Sequence, residues 1–247
     1  MNDARACRTR AHPPRLTRLG RQDIGLLLAF LVVTCLVLAF GYLVAQVLEG
    51  NTAAFDRAVI LALRTSGNPA DPIGPPWLEE MSRDVTALGS YAFVGFVLAA
   101  VLGYLLLIRK QATALLMATA VLGGMALSTL LKIGFNRPRP DLVPHAARVF
   151  TASFPSGHAT LSAITFLTLA AILTRAEADR RVKAYFVAVA VFLTVAVGLS
   201  RIYLGVHYPT DMLAGWCVGS AWAVLCWAVA LWLQQRGQVE PPGESRS

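Results

Sequence analysis

Apolar residues run almost unbroken from Ile24 to Leu48, and again over Tyr91 to Ile108, Ala112 to Leu131, Ser156 to Thr174, Ala184 to about Leu199, and Met212 to Leu233. Each run is close to the ~17–25 residues that an α-helix needs to cross the hydrocarbon core of a bilayer. The pattern predicts an all-α integral membrane bundle of six transmembrane helices. Residues 49–90 read differently. Phe55 to Arg64 has helical periodicity with its charges on one side, which predicts a short helix lying at the interface. A turn rich in proline (Pro69, Pro72, Pro75, Pro76) and a second polar stretch from Trp77 to Thr86 follow, and the whole segment is expected to cover a site from outside.

Composition agrees with this. Of 247 residues, 56% are hydrophobic and only 15% charged, with a mean hydropathy of +0.57, against ~45–50% and ~25% in a soluble domain. The spans leave no room for a separate soluble domain. The net charge of +8 suggests nucleic acid at first, yet much of it sits in short loops and in an arm at residues 1–23 carrying Arg5, Arg8, Arg10, Arg15, Arg18 and Arg21. That distribution fits topology and anionic lipid, and no nucleic-acid partner is expected. The arm has no apolar periodicity and is expected to be disordered and cytoplasmic, as is a tail at 235–247. The run after it is too long for a signal-peptide core and lacks a convincing cleavage site. Residues 24–234 form the membrane domain. Cys7, Cys35, Cys217 and Cys226 show neither a metal spacing nor a disulfide framework.

With the N-terminus inside and six spans, three polar clusters fall on the same outer side. The first contains Lys132, Arg137, Arg139 and Pro140; the second is Phe154 to His158; the third runs from Ser200 to Asp211. Lys132, Arg137, Arg139 and Arg148 there break the positive-inside rule, which function explains better than chance. Each residue also has an ordinary explanation. Asp211 can be the N-cap of the last helix and Ser156 that of the fourth. Arg201 can snorkel to the interface, and Lys132 to Arg139 can be a basic loop. Arg137 is read as facing lipid headgroups, with a second phosphate as the alternative; Asp141 could orient Arg139, and His145 is a surface histidine. Taken together, the clusters outline a phosphate site. Arg and Lys hold oxyanions, imidazole attacks or shuttles a proton, and a carboxylate fixes which ring nitrogen is free. A helix N-terminus after Ser156 and Gly157 adds free N–H groups.

The combination K-x6-R-P (Lys132, Arg139, Pro140), P-S-G-H (Pro155 to His158) and S-R-x5-H-x3-D (Ser200, Arg201, His207, Asp211) resembles the three-part signature of the type 2 phosphatidic acid phosphatase superfamily. The resemblance extends from about Phe55 to the sixth span and includes Thr86 to Ser90. It implies that His207 attacks phosphorus, Asp211 holds its other nitrogen, and His158 protonates the leaving oxygen and later activates water. Lys132, Arg139, Arg201, Ser156 and the Gly157 N–H would cradle the phosphate oxygens. It implies a lipid phosphate substrate in the inner membrane of a bacterium; three fixed cations could do the work of Mg2+, so no cofactor and no metal are expected, and the basic arm with six spans puts both termini in the cytoplasm. Undecaprenyl pyrophosphate is the first expectation, followed by phosphatidylglycerophosphate or phosphatidate. Oligomeric state is left open.

Three rivals stand beside it. A transporter predicts ionisable groups deep in the spans, where there are essentially none. A lipid phosphotransferase would use the same site, and no residue separates it from a hydrolase. A catalytically dead binding protein is disfavoured by the presence of both histidines and Asp211, and a soluble haloperoxidase is excluded by the spans.

Overall fold

The computed structural model describes residues 21–141, 143 and 152–235. The arm through residue 20, His145, Arg148 and the tail from 236 lie outside the described residues. The elements are α1 (Arg21–Leu48), α2 (Ala53–Ala62), β1 (Arg64–Thr65), β2 (Asn68–Pro72), α3 (Pro76–Ala87), α4 (Tyr91–Leu107), α5 (Gln111–Phe135), α6 (Gly157–Ala176), α7 (Arg180–Tyr203) and α8 (Pro209–Gln235). Helices α1, α5, α6, α7 and α8 are each long and apolar enough to cross a membrane. Helix α4 has 17 residues and passes the same test only together with α3, from which it bends by 49°. The chain is thus an all-α membrane bundle, and the short antiparallel ribbon of β1 and β2 is the one addition to the expected class among the described residues.

Helix α6 is the hub, packed against α4, α5, α7 and α8, while α1 lies outside and packs on α8. The sequence reflects this. Small and hydroxylated residues such as Ala159, Thr160, Ser162 and Ala163 make α6 the most buried span, whereas α1 presents Leu27, Phe30 and Leu38 outward. Membrane helices approach closely through small residues, and large apolar ones suit the lipid-facing surface.

The end of α5, the start of α6, the end of α7 and the start of α8 meet at one end of the bundle. The connecting segment 49–90 sits at that end too. It is tied to α7 by Arg64, whose Nη1 donates to the Tyr203 carbonyl at 2.9 Å, and by the Tyr203 hydroxyl, which donates to the Ile73 carbonyl at 2.8 Å. A guanidinium here meets the carbonyl end of a helix, where cations are favoured. Helix α2 is the short helix expected there, and its Asp56 is fully buried. A buried carboxylate needs a partner, and Asp56 has two, described below.

Candidate functional site

Local rules place each side chain. Helix α7 closes in a Schellman motif: Val206 N donates to the Arg201 carbonyl at 3.2 Å and Gly205 N to the Ile202 carbonyl at 3.0 Å. Gly205 supplies the left-handed conformation, φ +71°, that this motif requires. The reversal puts His207 two residues beyond the turn. Helix α8 then starts with Pro209 in its first position, where a missing N–H costs nothing. Asp211 is therefore not the N-cap, as one reading of the sequence had it, but lies in the first turn. From there its Oδ2 reaches back to accept the Tyr208 N–H at 2.9 Å, the reciprocal arm of a capping box.

The imidazole of His207 is buried, and its two nitrogens face different partners. Nδ1 lies 3.3 Å from Asp211 Oδ2, and Nε2 lies 3.1 Å from Arg139 Nη1. Arginine can only donate, so Nε2 is the acceptor and Nδ1 carries the hydrogen that points at Asp211. Burial pushes the His207 imidazole down to about 3, against the opposing pull of Asp211. The ring is neutral at ordinary pH, with its Nε2 lone pair turned toward the cations.

Arg139 also donates to the Val206 carbonyl at 2.7 Å, and burial lowers its own value from the usual arginine range. Lys132 is in the last turn of α5 rather than in a loop; Asn136, with φ +41°, ends that helix just after it. Its Nζ donates to the Ala152 carbonyl at 2.8 Å. Arg201 does not snorkel. It is 4% exposed, its Nη1 reaches Thr86 Oγ1 at 3.3 Å, and its buried Nε has no hydrogen-bond partner. The buried Ser128 Oγ, one turn before Lys132, is likewise unpartnered. Orphaned buried donors of this kind are rare, and here they sit where an oxyanion would satisfy them.

Ser156 is the N-cap of α6, its Oγ accepting from Ala159 N at 3.5 Å, and its own N–H donates to the Asp211 carbonyl at 3.0 Å. This joins the second cluster to the third. A Cβ at Gly157 would lie 3.2 Å from Lys132 Cε, so the glycine lets the lysine pass over the N-terminus of α6. His158, half-buried, lies within electrostatic reach of Arg201, His207, Lys132 and Arg139. A Cβ at Gly89 would fall 2.9 Å from the His158 carbonyl, and this close approach lets the turn between α3 and α4 support His158 from behind. The structure thus brings all eight residues expected from the sequence to one end of the bundle.

Three further residues were missed or misplaced. Arg137 does not face lipid headgroups. Its Nη1 donates to Asp211 Oδ1 at 2.6 Å and to Thr210 Oγ1 at 3.0 Å, its Nη2 donates to Asp56 Oδ2 at 2.9 Å, and its guanidinium lies over the Tyr208 ring at 4.3 Å. Asp56 in turn accepts from both the N–H and the hydroxyl of Thr210, at 3.1 and 2.7 Å. Ser153 donates to Asp211 Oδ2. A lone carboxylate in the apolar stretch after Phe55 was the available signal for Asp56, and a fourth cation just before Pro138 that for Arg137. Neither signal tells which charges meet.

A wholly apolar groove of about 230 Å3 runs between α1, α5 and α8, lined by Val33, Phe40, Leu131 and Trp222 among others. Further along α1 a second cavity of about 220 Å3 lies between Val44, Leu48, Phe135 and Arg137.

A neutral imidazole backed by a carboxylate and facing two arginines and a lysine, at the end of a membrane bundle, defines a membrane phosphate-ester enzyme. The comparisons with known proteins give the family: residues 113–235 match the model of the PAP2 superfamily, and the chain belongs to it. It is 32% identical over 149 residues to phosphatidylglycerophosphatase B of Bacillus subtilis, covering 60% of this chain and 72% of that one. It is also 32% identical over 148 residues to decaprenylphosphoryl-5-phosphoribose phosphatase of Mycobacterium tuberculosis, covering 59% and 76%. The crystal structure of a transmembrane PAP2-type phosphatidylglycerolphosphate phosphatase from Bacillus subtilis aligns with a TM-score of 0.70 at 29% identity, over 78% of this chain and 93% of that one. The protein is a membrane lipid phosphatase of the PAP2 type.

Proposed function

We propose that the chain hydrolyses the terminal phosphate monoester of a lipid at the extracytoplasmic membrane face through a phosphohistidine on His207. The observation that carries this reading is the Nε2 lone pair of a neutral His207 pointing at Arg139, with Nδ1 backed by Asp211. Nε2 attacks phosphorus, the bond from phosphorus to the lipid oxygen breaks, and His158 protonates that oxygen as it leaves. His158 then takes a proton from water, whose oxygen attacks phosphorus; the P–N bond breaks, freeing inorganic phosphate and His207. Asp211 stabilises the charge that develops on the imidazole. Lys132, Arg139, Arg201, the Ser156 hydroxyl and the Gly157 N–H hold the oxygens, each charge-assisted hydrogen bond contributing roughly 1.5–3 kcal/mol. Positioning and charge stabilisation are most of what phosphoryl transfer needs, so activity is expected to survive EDTA.

A glycerophospholipid monophosphate such as phosphatidylglycerophosphate is the favoured substrate. Arg137, the cation that a second phosphate would have used, is committed to Asp56 and Asp211. Undecaprenyl pyrophosphate is the second reading, supported by a relative named for a polyprenyl-linked substrate. The test is phosphate release in detergent with EDTA from both lipids, using His207→Ala as blank. Release from phosphatidylglycerophosphate that the substitution abolishes supports the reading. Preference for the pyrophosphate would reverse the assignment, loss with EDTA and recovery with Mg2+ would end the metal-free mechanism, and no release at all would point to transfer onto another lipid.

A further inference from the structure

We propose that Asp56 and Arg137 are positioning residues for this hydrolysis, holding Asp211, and through it the tautomer and ring plane of His207, from the segment that precedes α3. The inference rests on the hydrolase reading above. It starts from an energetic oddity: Asp56 and Asp211 are both fully buried, Arg137 is the cation that bridges them, and its side chain is 16% exposed. As a device for stability alone such a triad is poor, because desolvation of buried charges offsets most of their attraction and an apolar cluster of the same shape does as well. What an apolar cluster cannot do is fix a carboxylate.

Asp211 is fixed at both oxygens. Oδ1 is taken by Arg137, so Oδ2 is left to receive His207 Nδ1, the Tyr208 N–H and the Ser153 hydroxyl. A carboxylate bound on both sides cannot turn about its Cβ–Cγ bond. The turn that carries it is fixed as well. Thr210 is held by Asp56 through main chain and side chain, and the Tyr208 ring lies against the Arg137 guanidinium. Thus α2, the linker after α5 and the start of α8 are joined through one cation. Without that cation Oδ1 becomes an unpaired buried acceptor, the carboxylate is held through Oδ2 alone, and its hold on the Nδ1 hydrogen, and so the presentation of Nε2 to phosphorus, is loosened. The arrangement predicts a loss in turnover, not in binding, since Lys132, Arg139 and Arg201 are left untouched.

Full-length protein in detergent would be assayed for kcat and KM of phosphate release as wild type, Arg137→Met, Arg137→Lys and Asp56→Asn. The 15N shifts of the His207 ring would be read in each. For Arg137→Met, kcat is expected to fall about tenfold or more, with KM within about threefold, as for groups that act by orienting a general base. The His207 signals are expected to shift from the Nδ1–H form toward a mixture, and Arg137→Lys is expected to recover part of both. If Arg137→Met does not yield monodisperse protein, Asp56→Asn and Arg137→Lys are judged by the same two readouts. A raised KM with kcat unchanged would make Arg137 a substrate contact and overturn the proposal. So would unaltered kcat and ring signals in Asp56→Asn and either Arg137 variant. Should the wild type release no phosphate from any lipid, the hydrolase reading fails, while the ring signals still decide whether Arg137 and Asp56 set the tautomer.

Discussion

His207 shows how much a single side chain depends on its surroundings. Burial holds its imidazole at about 3, well under the ordinary value of 6.5, so between these limits the unfolded chain binds a proton that the folded chain does not. The folded state therefore keeps its full contribution from this group above pH ~6.5 and loses it as pH falls toward 3, at up to roughly 1.4 kcal/mol per pH unit. Melting temperature measured from pH 7 to pH 4 is expected to fall more steeply in wild type than in His207→Asn, which has no proton to take up. Equal slopes would mean that the ring is already charged or exposed. At this scale the sequence was legible wherever a residue's partner is its neighbour in a motif, as with His207 and Asp211 four positions apart. It was not legible for Arg137, because it lies in the linker after α5 while its partner Asp56 lies in α2, and no local pattern records a pairing across 81 positions.

Helix ends set the geometry of the site. The spans could be read from hydropathy, since a membrane dictates both their length and their composition; α4, with 17 residues, passes as one only together with α3. Except in α4, the helix ends extend further than the apolar runs, and that difference decides what is loop and what is helix. Lys132 and Arg201 belong to last turns, while Asp211 belongs to a first one. The turn between α3 and α4 had been noted only through family resemblance, and packing gives it a physical meaning. Gly89→Ala would push a methyl group to 2.7 Å from Val197 Cγ1 and 2.9 Å from the His158 carbonyl, and backbone cannot give way as a side-chain tip can. A loss of about 1–3 kcal/mol is expected. Because α6 would move with its histidine, turnover should fall further than stability alone explains. Phosphate release per folded molecule, with folding scored by size-exclusion chromatography, checks this.

Across the whole molecule, four helix ends from distant parts of the chain carry Lys132, Arg139, Arg201, His158 and His207 into one small volume. Only the clustering by side of the membrane was visible beforehand. The spatial order of the helices, with α6 inside and α1 outside, could be seen only in the packing.

That convergence makes the empty site a burden on the fold. Like charges gathered out of water repel one another, and the bundle must hold them together until an anion arrives. Resistance to heat and catalytic power therefore pull in opposite directions at these positions. Lys132→Met, which keeps the length of the buried stem and removes the charge, is expected to melt about 2–4 °C higher than wild type in phosphate-free detergent while releasing almost no phosphate. A lower melting temperature would show instead that the ammonium and its Ala152 carbonyl belong to the scaffold. Selection for a sturdier version of this protein would be expected to erode its active site first.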